Sequence, residues 1–109
     1  MIQTTFRIHN EHSDNGLGNF EALHLFDEKP SNIETVAIVT IEPNEEIAYH
    51  IHEGDSELYY ILSGTAIYND NGVTAEIGAG TSTCTFDGSG HSIKNIGAEP
   101  LKFVAIIVK

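Results

Sequence analysis

The segment His50-Ile51-His52-Glu53-Gly54-Asp55-Ser56-Glu57-Leu58-Tyr59-Tyr60-Ile61-Leu62-Ser63-Gly64 reads as two alternating strands about a run of turn formers. Successive side chains of an extended strand point to opposite faces, so His50 and His52 share one face. Glu53-Gly54-Asp55-Ser56 predicts a four-residue hairpin loop that lets Glu57 lie beside the two histidines. Tyr59 and Ile61 are in phase with Glu57, whereas Leu58, Tyr60 and Leu62 face the other way. Two neutral imidazoles and a carboxylate on one wall form a donor set that suits Mn, Fe, Co, Ni or Zn. A structural zinc site more often uses thiolates, and Cys84 is the only cysteine. On this segment alone, two ordinary hydrogen-bonded strand histidines explain the pattern equally well.

The same punctuation extends outward from this segment. Ile33 to Ile41 is nearly all apolar or β-branched, which predicts a strand buried on both faces. Pro43-Asn44 ends it. Ile47 to His52, Glu57 to Leu62, Thr65 to Tyr68, Val73 to Ile77, Thr81 to Phe86, His91 to Ile96 and Leu101 to Val108 read as further strands. Asn69-Asp70-Asn71-Gly72 is a strong hairpin signal. Asn10 to Asn19 reads as a loop, and Phe20 to Phe26 as a strand in preference to a helical turn. Short strands recurring at this interval predict an all-β sandwich or small barrel.

A second segment carries Gly80, Phe86, Gly88, His91 and Asn95 in the order G-x5-F-x-G-x2-H-x3-N. Together with His50-x-His52-x4-Glu57-x6-Gly64, it resembles the two motifs of the cupin superfamily, from about residue 36 to the end. The resemblance implies a single-domain double-stranded β-helix, the cupin jelly-roll barrel, over residues 1–109. The core barrel is expected at about 33–108, with 1–32 as loop and accessory strand. It further implies one divalent transition metal per chain, held by His50, His52, Glu57 and His91. Two positions depart from the family pattern. Asn44 stands where a glycine usually opens the first motif, and Asn tolerates the left-handed conformation better than most residues. Phe86 stands where proline is usual, which removes a rigid turn element but no ligand.

The run from His50 to Gly64, with Gly90-His91-Ser92-Ile93 and Asn95, looks most like small bacterial cupins labelled oxalate decarboxylase-like or sugar-isomerase-like, though a fold does not fix a reaction. Four protein ligands on an octahedral ion leave two positions for a carboxylate or similar small oxygenated anion. The local charge, about +1 with a divalent ion and Glu57, favours such a ligand. Decarboxylase- or dioxygenase-like chemistry, isomerisation or epimerisation of a sugar, and binding without turnover all fit that arrangement. Tyr59, beside Glu57, is the candidate catalytic proton carrier, against a packing role. Asn95 shares a face with His91 and is expected to orient the site, and Ala48 is expected to leave room near the ion. Glu53 and Asp55 read as a solvated loop tip, His9 and His12 as exposed, His24 as a strand or interface residue, and Cys84 as a buried small residue.

Composition narrows the function classes further. Sixteen acidic against five basic residues give a formal charge of −11 over 109 residues, which excludes nucleic acid and disfavours an anionic membrane surface. Phosphate recognition is weakened for the same reason: Lys94 is out of phase with His91, and Arg7 and Lys29 lie outside the expected barrel strands. The lone cysteine cannot form an internal disulfide, and the start of the chain lacks an apolar signal core. A cytoplasmic protein is expected. Leu58, Tyr60, Leu62 and the tail from Phe103 to Val108 supply more apolar surface than one small barrel hides, which predicts a homodimer.

Overall fold

Apolar runs broken by glycine and asparagine turns fold into strands throughout a computed structural model that describes residues 1–12 and 16–109. In chain order these are β1 (Arg7–Glu11), β2 (Phe20–His24), β3 (Ile33–Ile41), β4 (Glu46–Ile51) and β5 (Ser56–Ser63). They continue as β6 (Thr65–Asp70), β7 (Val73–Gly78), β8 (Ser82–Thr85), β9 (Gly90–Asn95) and β10 (Leu101–Val108). Two antiparallel sheets result, one ordered β1-β2-β3-β10-β5-β8 and the other β4-β9-β6-β7. From β3 onward every connection except β6–β7 carries the chain from one sheet to the other. That winding is the double-stranded β-helix, and it faces the inner sides of both sheets onto one core.

The expected hairpin at residues 53–56 is therefore an arch. β4 and β5 lie in different sheets, so Glu57 meets the histidines across the barrel interior and not across a ladder. The β6–β7 connection is a true two-residue hairpin. Asp70 pairs with Val73, and Asn71 and Gly72 take φ of 50° and 100°, as a type I′ turn requires. Asn44 adopts φ 68°, so asparagine supplies the left-handed turn where the family usually has glycine.

Inward positions alternate as the strand period demands. Ile41, Ile61, Ile93, Leu101 and Phe103 are fully buried and form the closed end of the core with Ala66 and Val39. Burying each large side chain contributes about 1.5–3 kcal/mol. Two expectations about burial need correction. β3 is buried on one face and only half-buried on the other, because no third layer covers the outside of the six-stranded sheet. Cys84 is exposed on that same outer side, since the alternation that buries Thr85 turns its neighbour outward.

The first 32 residues contribute more than one accessory strand. β1 pairs along the whole of β2, and β2 continues the sheet onto β3. The loop expected for residues 10–19 is interrupted at its start, where Asn10 and Glu11 extend β1. Its residues 13–15 lie outside the described residues. Arg7 is thus a sheet residue, placed directly opposite His24.

Candidate metal centre

The centre is assembled by two strand ends and the loops between them. A β-bulge in β4 sets two residues, Ala48 and Tyr49, against one on β9, so both Ile47 and His50 point inward. The simple alternation that placed Ala48 beside His50 fails at this bulge. Ala48 contributes its carbonyl, which accepts a hydrogen bond from His50 Nδ1 at 2.8 Å. The β4–β5 and β8–β9 loops are tied together by backbone bonds. His52 N donates to Ser89 O at 2.9 Å and Gly88 N to His52 O at 2.7 Å. Asp87 adds two more, accepting from Gly54 N at 2.8 Å and donating its own N–H to Ser56 Oγ at 2.9 Å. These bonds fix His52 and Glu57 against His91 before any ion is considered.

Four donor atoms converge. His91 Nε2 lies 3.2 Å from His50 Nε2, 3.1 Å from His52 Nε2 and 3.0 Å from Glu57 Oε1, and His52 Nε2 lies 3.1 Å from that same oxygen. All four ligand atoms sit within 4.8 Å of one another, a grouping that can hold one metal ion. With metal–donor bonds of about 2.1 Å, neighbouring donors are ~3.0 Å apart on an octahedron and ~3.4 Å apart on a tetrahedron. The observed separations of 3.0–3.2 Å fit the octahedral edge.

The second nitrogen of each ring explains why the Nε2 atoms face inward. His50 Nδ1 is held by Ala48 O, and His52 Nδ1 by Asp55 Oδ1 at 2.7 Å. His91 Nδ1 lies 2.8 Å from Thr85 Oγ1 and 2.9 Å from the Tyr68 hydroxyl, which are 2.9 Å from each other. A proton on Nδ1 leaves the Nε2 lone pair free to ligate, and an outer partner fixes the ring plane. Asp55 is therefore an orienting partner and not a solvated tip. Asn95 is the reverse case. Its side-chain amide donates to Ile41 O and Glu99 O, and its Oδ1 accepts from Gly97 N, all at 2.8–2.9 Å, so it clamps the loops at the closed end of the barrel. It shares a face with His91 but orients nothing in the centre.

Electrostatics follow from the packing. The hydrogen bond to Glu57 is the largest influence on His52 and, with Asp55, overcomes burial to raise it from 6.5 to about 9. Burial alone would raise Glu57, but hydrogen bonds from His52 and His91 outweigh it and hold the carboxyl at about 2. Burial, reinforced by the neighbouring His91 and His52, lowers His50. Burial, then the Glu57 carboxylate, pushes the Tyr59 hydroxyl well above its ordinary range, so it keeps its proton. Because the His52 value lies above 6.5, its proton stabilises the metal-free fold fully below pH 6.5, and that contribution is lost as pH rises through about 9. A metal entering at pH 7 therefore displaces close to one proton, and its apparent affinity rises with pH up to about 9. Calorimetry in buffers of different ionisation heat checks this; a binding heat independent of buffer contradicts it.

The donor atoms open onto a cavity of about 240 Å³ lined by His50, His52, Glu57 and Tyr59 at one end and by His9 and His24 at the other. Tyr59 forms part of the wall, stacked on His91 at 5.1 Å and packed on Phe103 at 4.3 Å. His9 is exposed and lies 2.6 Å from Glu11, and His12 is exposed as expected. His24 is half-buried on β2 and looks into the cavity.

Residues 37–107 match the family model described as Cupin domain. The chain is a cupin. The cupin is 36% identical over 95 residues to the oxalate-binding protein of Thermotoga maritima, a match covering 85% of this chain and 78% of that one. It superimposes with a TM-score of 0.87 and 32% identity on a crystal structure from Thermotoga maritima described as a predicted oxalate decarboxylase, covering 94% and 92% of the two chains. A sugar phosphate isomerase of the cupin superfamily from Silicibacter pomeroyi shares the fold at a TM-score of 0.74 and 21% identity, covering 83% of this cupin and 59% of that protein.

Sequence reasoning had overlooked Thr85 and Tyr68, which are buried and face His91 from two different strands. The available signal was phase: both alternate toward the interior, and both are polar where an apolar residue would otherwise pack.

Proposed function

We propose that this cupin binds one divalent transition metal through His50, His52, Glu57 and His91 and uses it to hold a small carboxylate anion. The observation that carries the reading is the convergence of four donor atoms within 4.8 Å, with His91 Nε2 at 3.0–3.2 Å from each of the other three, beside a cavity. In the metal-free protein a proton shared between His52 and Glu57 holds this cluster together, and an ion would take that proton's place. When bound, the ion supplies Lewis-acid attraction for carboxylate oxygens. The chain's own groups orient the donors, exclude water with Tyr59, Ala37 and Ala105, and leave an open side toward β1 and β2. Similarity to a protein named for oxalate binding supports a carboxylate in this role.

Binding without turnover is the better-supported form of this reading. The Tyr59 hydroxyl beside Glu57 holds its proton, which makes it a hydrogen-bond donor and a wall, not an acid for neutral pH. The test is calorimetric titration of oxalate into manganese-loaded protein, with the metal-free protein alongside. Binding is expected only with metal present, with no change in oxalate concentration over hours. Equal binding by both forms refutes the role of the centre, and steady oxalate loss refutes binding without turnover.

The chain is also proposed to form a homodimer through the outer face of the six-stranded sheet. Leu58, Tyr60 and Leu62 are 40%, 49% and 45% exposed there, beside half-buried Val104 and Ile106. Phe103 and Ala105, expected to add to this surface, face the core instead. A second copy is the fitting occupant because the patch is apolar on a chain of net charge −11, whose other surfaces repel their own kind. Light scattering at micromolar concentration should give twice the chain mass, and Tyr60→Glu should give the single mass. A wild-type monomer contradicts the proposal. No helix of the described residues is long and apolar enough to cross a membrane.

A further inference from the structure

The cavity is larger than oxalate requires. Its volume of about 240 Å³ equals the liquid volume of roughly eight waters, whereas oxalate needs the room of about three. The space is made by small residues. Ala37 and Ala105 line it between the donor end and β2, which adds Ala22. One row of paired residues crosses the sheet from His24 through Ala37 and Ala105 to Tyr59. Three strand spacings separate the ends of that row, roughly 14 Å between backbones, shortened by the side chains that reach in from each end.

Cationic character gathers at the far end. β1 places Arg7 opposite His24 and His9 opposite Ala22, and side chains of paired residues share a face. His9, Ala22 and His24 line the cavity, so Arg7 belongs to the cavity-facing row of the hairpin. Arg7 is the only arginine of the chain. Burial first, then the positive charge of Arg7, His9 and Lys29, disfavours a proton on His24, so its ring is held neutral. Glu11 also lines the rim, but it is engaged with His9 at 2.6 Å. Concentrating cations here, on a chain of net charge −11, serves an anion and not solubility.

We propose that the β1–β2 hairpin is the specificity element of the site, with Arg7 and His24 holding the second carboxylate of a dicarboxylate longer than oxalate. The proposal rests on the metal–carboxylate reading above and names its ligand class. A planar guanidinium donates two parallel N–H bonds to a carboxylate, and a half-buried imidazole adds one N–H. Glutarate, longer than oxalate by three carbons, is the probe of that class.

The experiment uses glutarate and pentanoate, which have the same carbon count and differ only in the second carboxylate. Each is titrated calorimetrically at low ionic strength into manganese-loaded wild-type protein, Arg7→Gln and His24→Gln. Wild type should bind glutarate at least tenfold more tightly than pentanoate, and each substitution should bring the ratio below threefold. Arg7 is exposed, so its variant keeps the fold; metal stoichiometry confirms it for both. A wild-type ratio near one, or a preference that survives both substitutions, overturns the proposal. Failure of manganese-loaded wild type to bind either acid or oxalate would instead sink the metal–carboxylate reading itself.

Discussion

His91→Ala yields a folded barrel that no longer retains a divalent metal. His91 is the hub of the centre, since its Nε2 is within 3.2 Å of the donor atoms of all three partners. It is also the most deeply buried of the four, at 1% exposure, so no solvent rearrangement supplies a replacement donor in the same place. Losing one of the four proposed ligands should lower affinity by at least about 100-fold, because even outer partners of metal ligands are worth 10–100-fold. The fold should survive. Tyr68 and Thr85 keep their mutual bond at 2.9 Å, and the loop bonds around His52, from backbone, Asp55 and Asp87, do not involve the His91 side chain. Metal stoichiometry after dialysis and a thermal melt check the two halves of this expectation. A variant that retains a full equivalent of metal contradicts it.

Thr85→Val combined with Tyr68→Phe weakens metal binding by about 10–100-fold without removing a ligand. The two hydroxyls form a triangle with His91 Nδ1 at 2.8–2.9 Å and are its polar partners, whereas Tyr59 only stacks on the ring. Without them the Nδ1 proton has no partner, and the tautomer that presents the Nε2 lone pair loses its advantage. Both substitutions conserve volume, so packing around Tyr68 and Thr85 changes little. The single variants separate the contributions. If one hydroxyl suffices, each single variant binds nearly as well as wild type and only the double falls. Competition against a chelating dye measures the affinities, and an unchanged double variant refutes the orienting role.

Much of this molecule was legible in its residues, for a physical reason. Strand period, turn chemistry and ligand chemistry are local, and each leaves a short-range pattern. Asn71-Gly72 specifies its turn through backbone preference, and Glu57, Tyr59 and Ile61 share a buried face by simple alternation. Where the chain departs from local rules, the reading failed. The bulge at Ala48 and Tyr49 shifts the phase of β4, and no residue there announces it. The arch at residues 53–56 has the same turn formers as a hairpin, so only the sheet assignment of β4 and β5 tells them apart. Thr85 and Tyr68 reach His91 from strands distant in sequence, and β1 is polar enough to pass for loop. Arg7 lies on that strand, directly opposite His24.

The central claim is that His50, His52, Glu57 and His91 hold one metal ion per chain. Elemental analysis of protein produced separately with manganese, iron, cobalt, nickel and zinc, then dialysed, tests it most directly. About one equivalent of at least one metal in the wild type, and none in His91→Ala, is the predicted result. Less than a tenth of an equivalent from every preparation would contradict it.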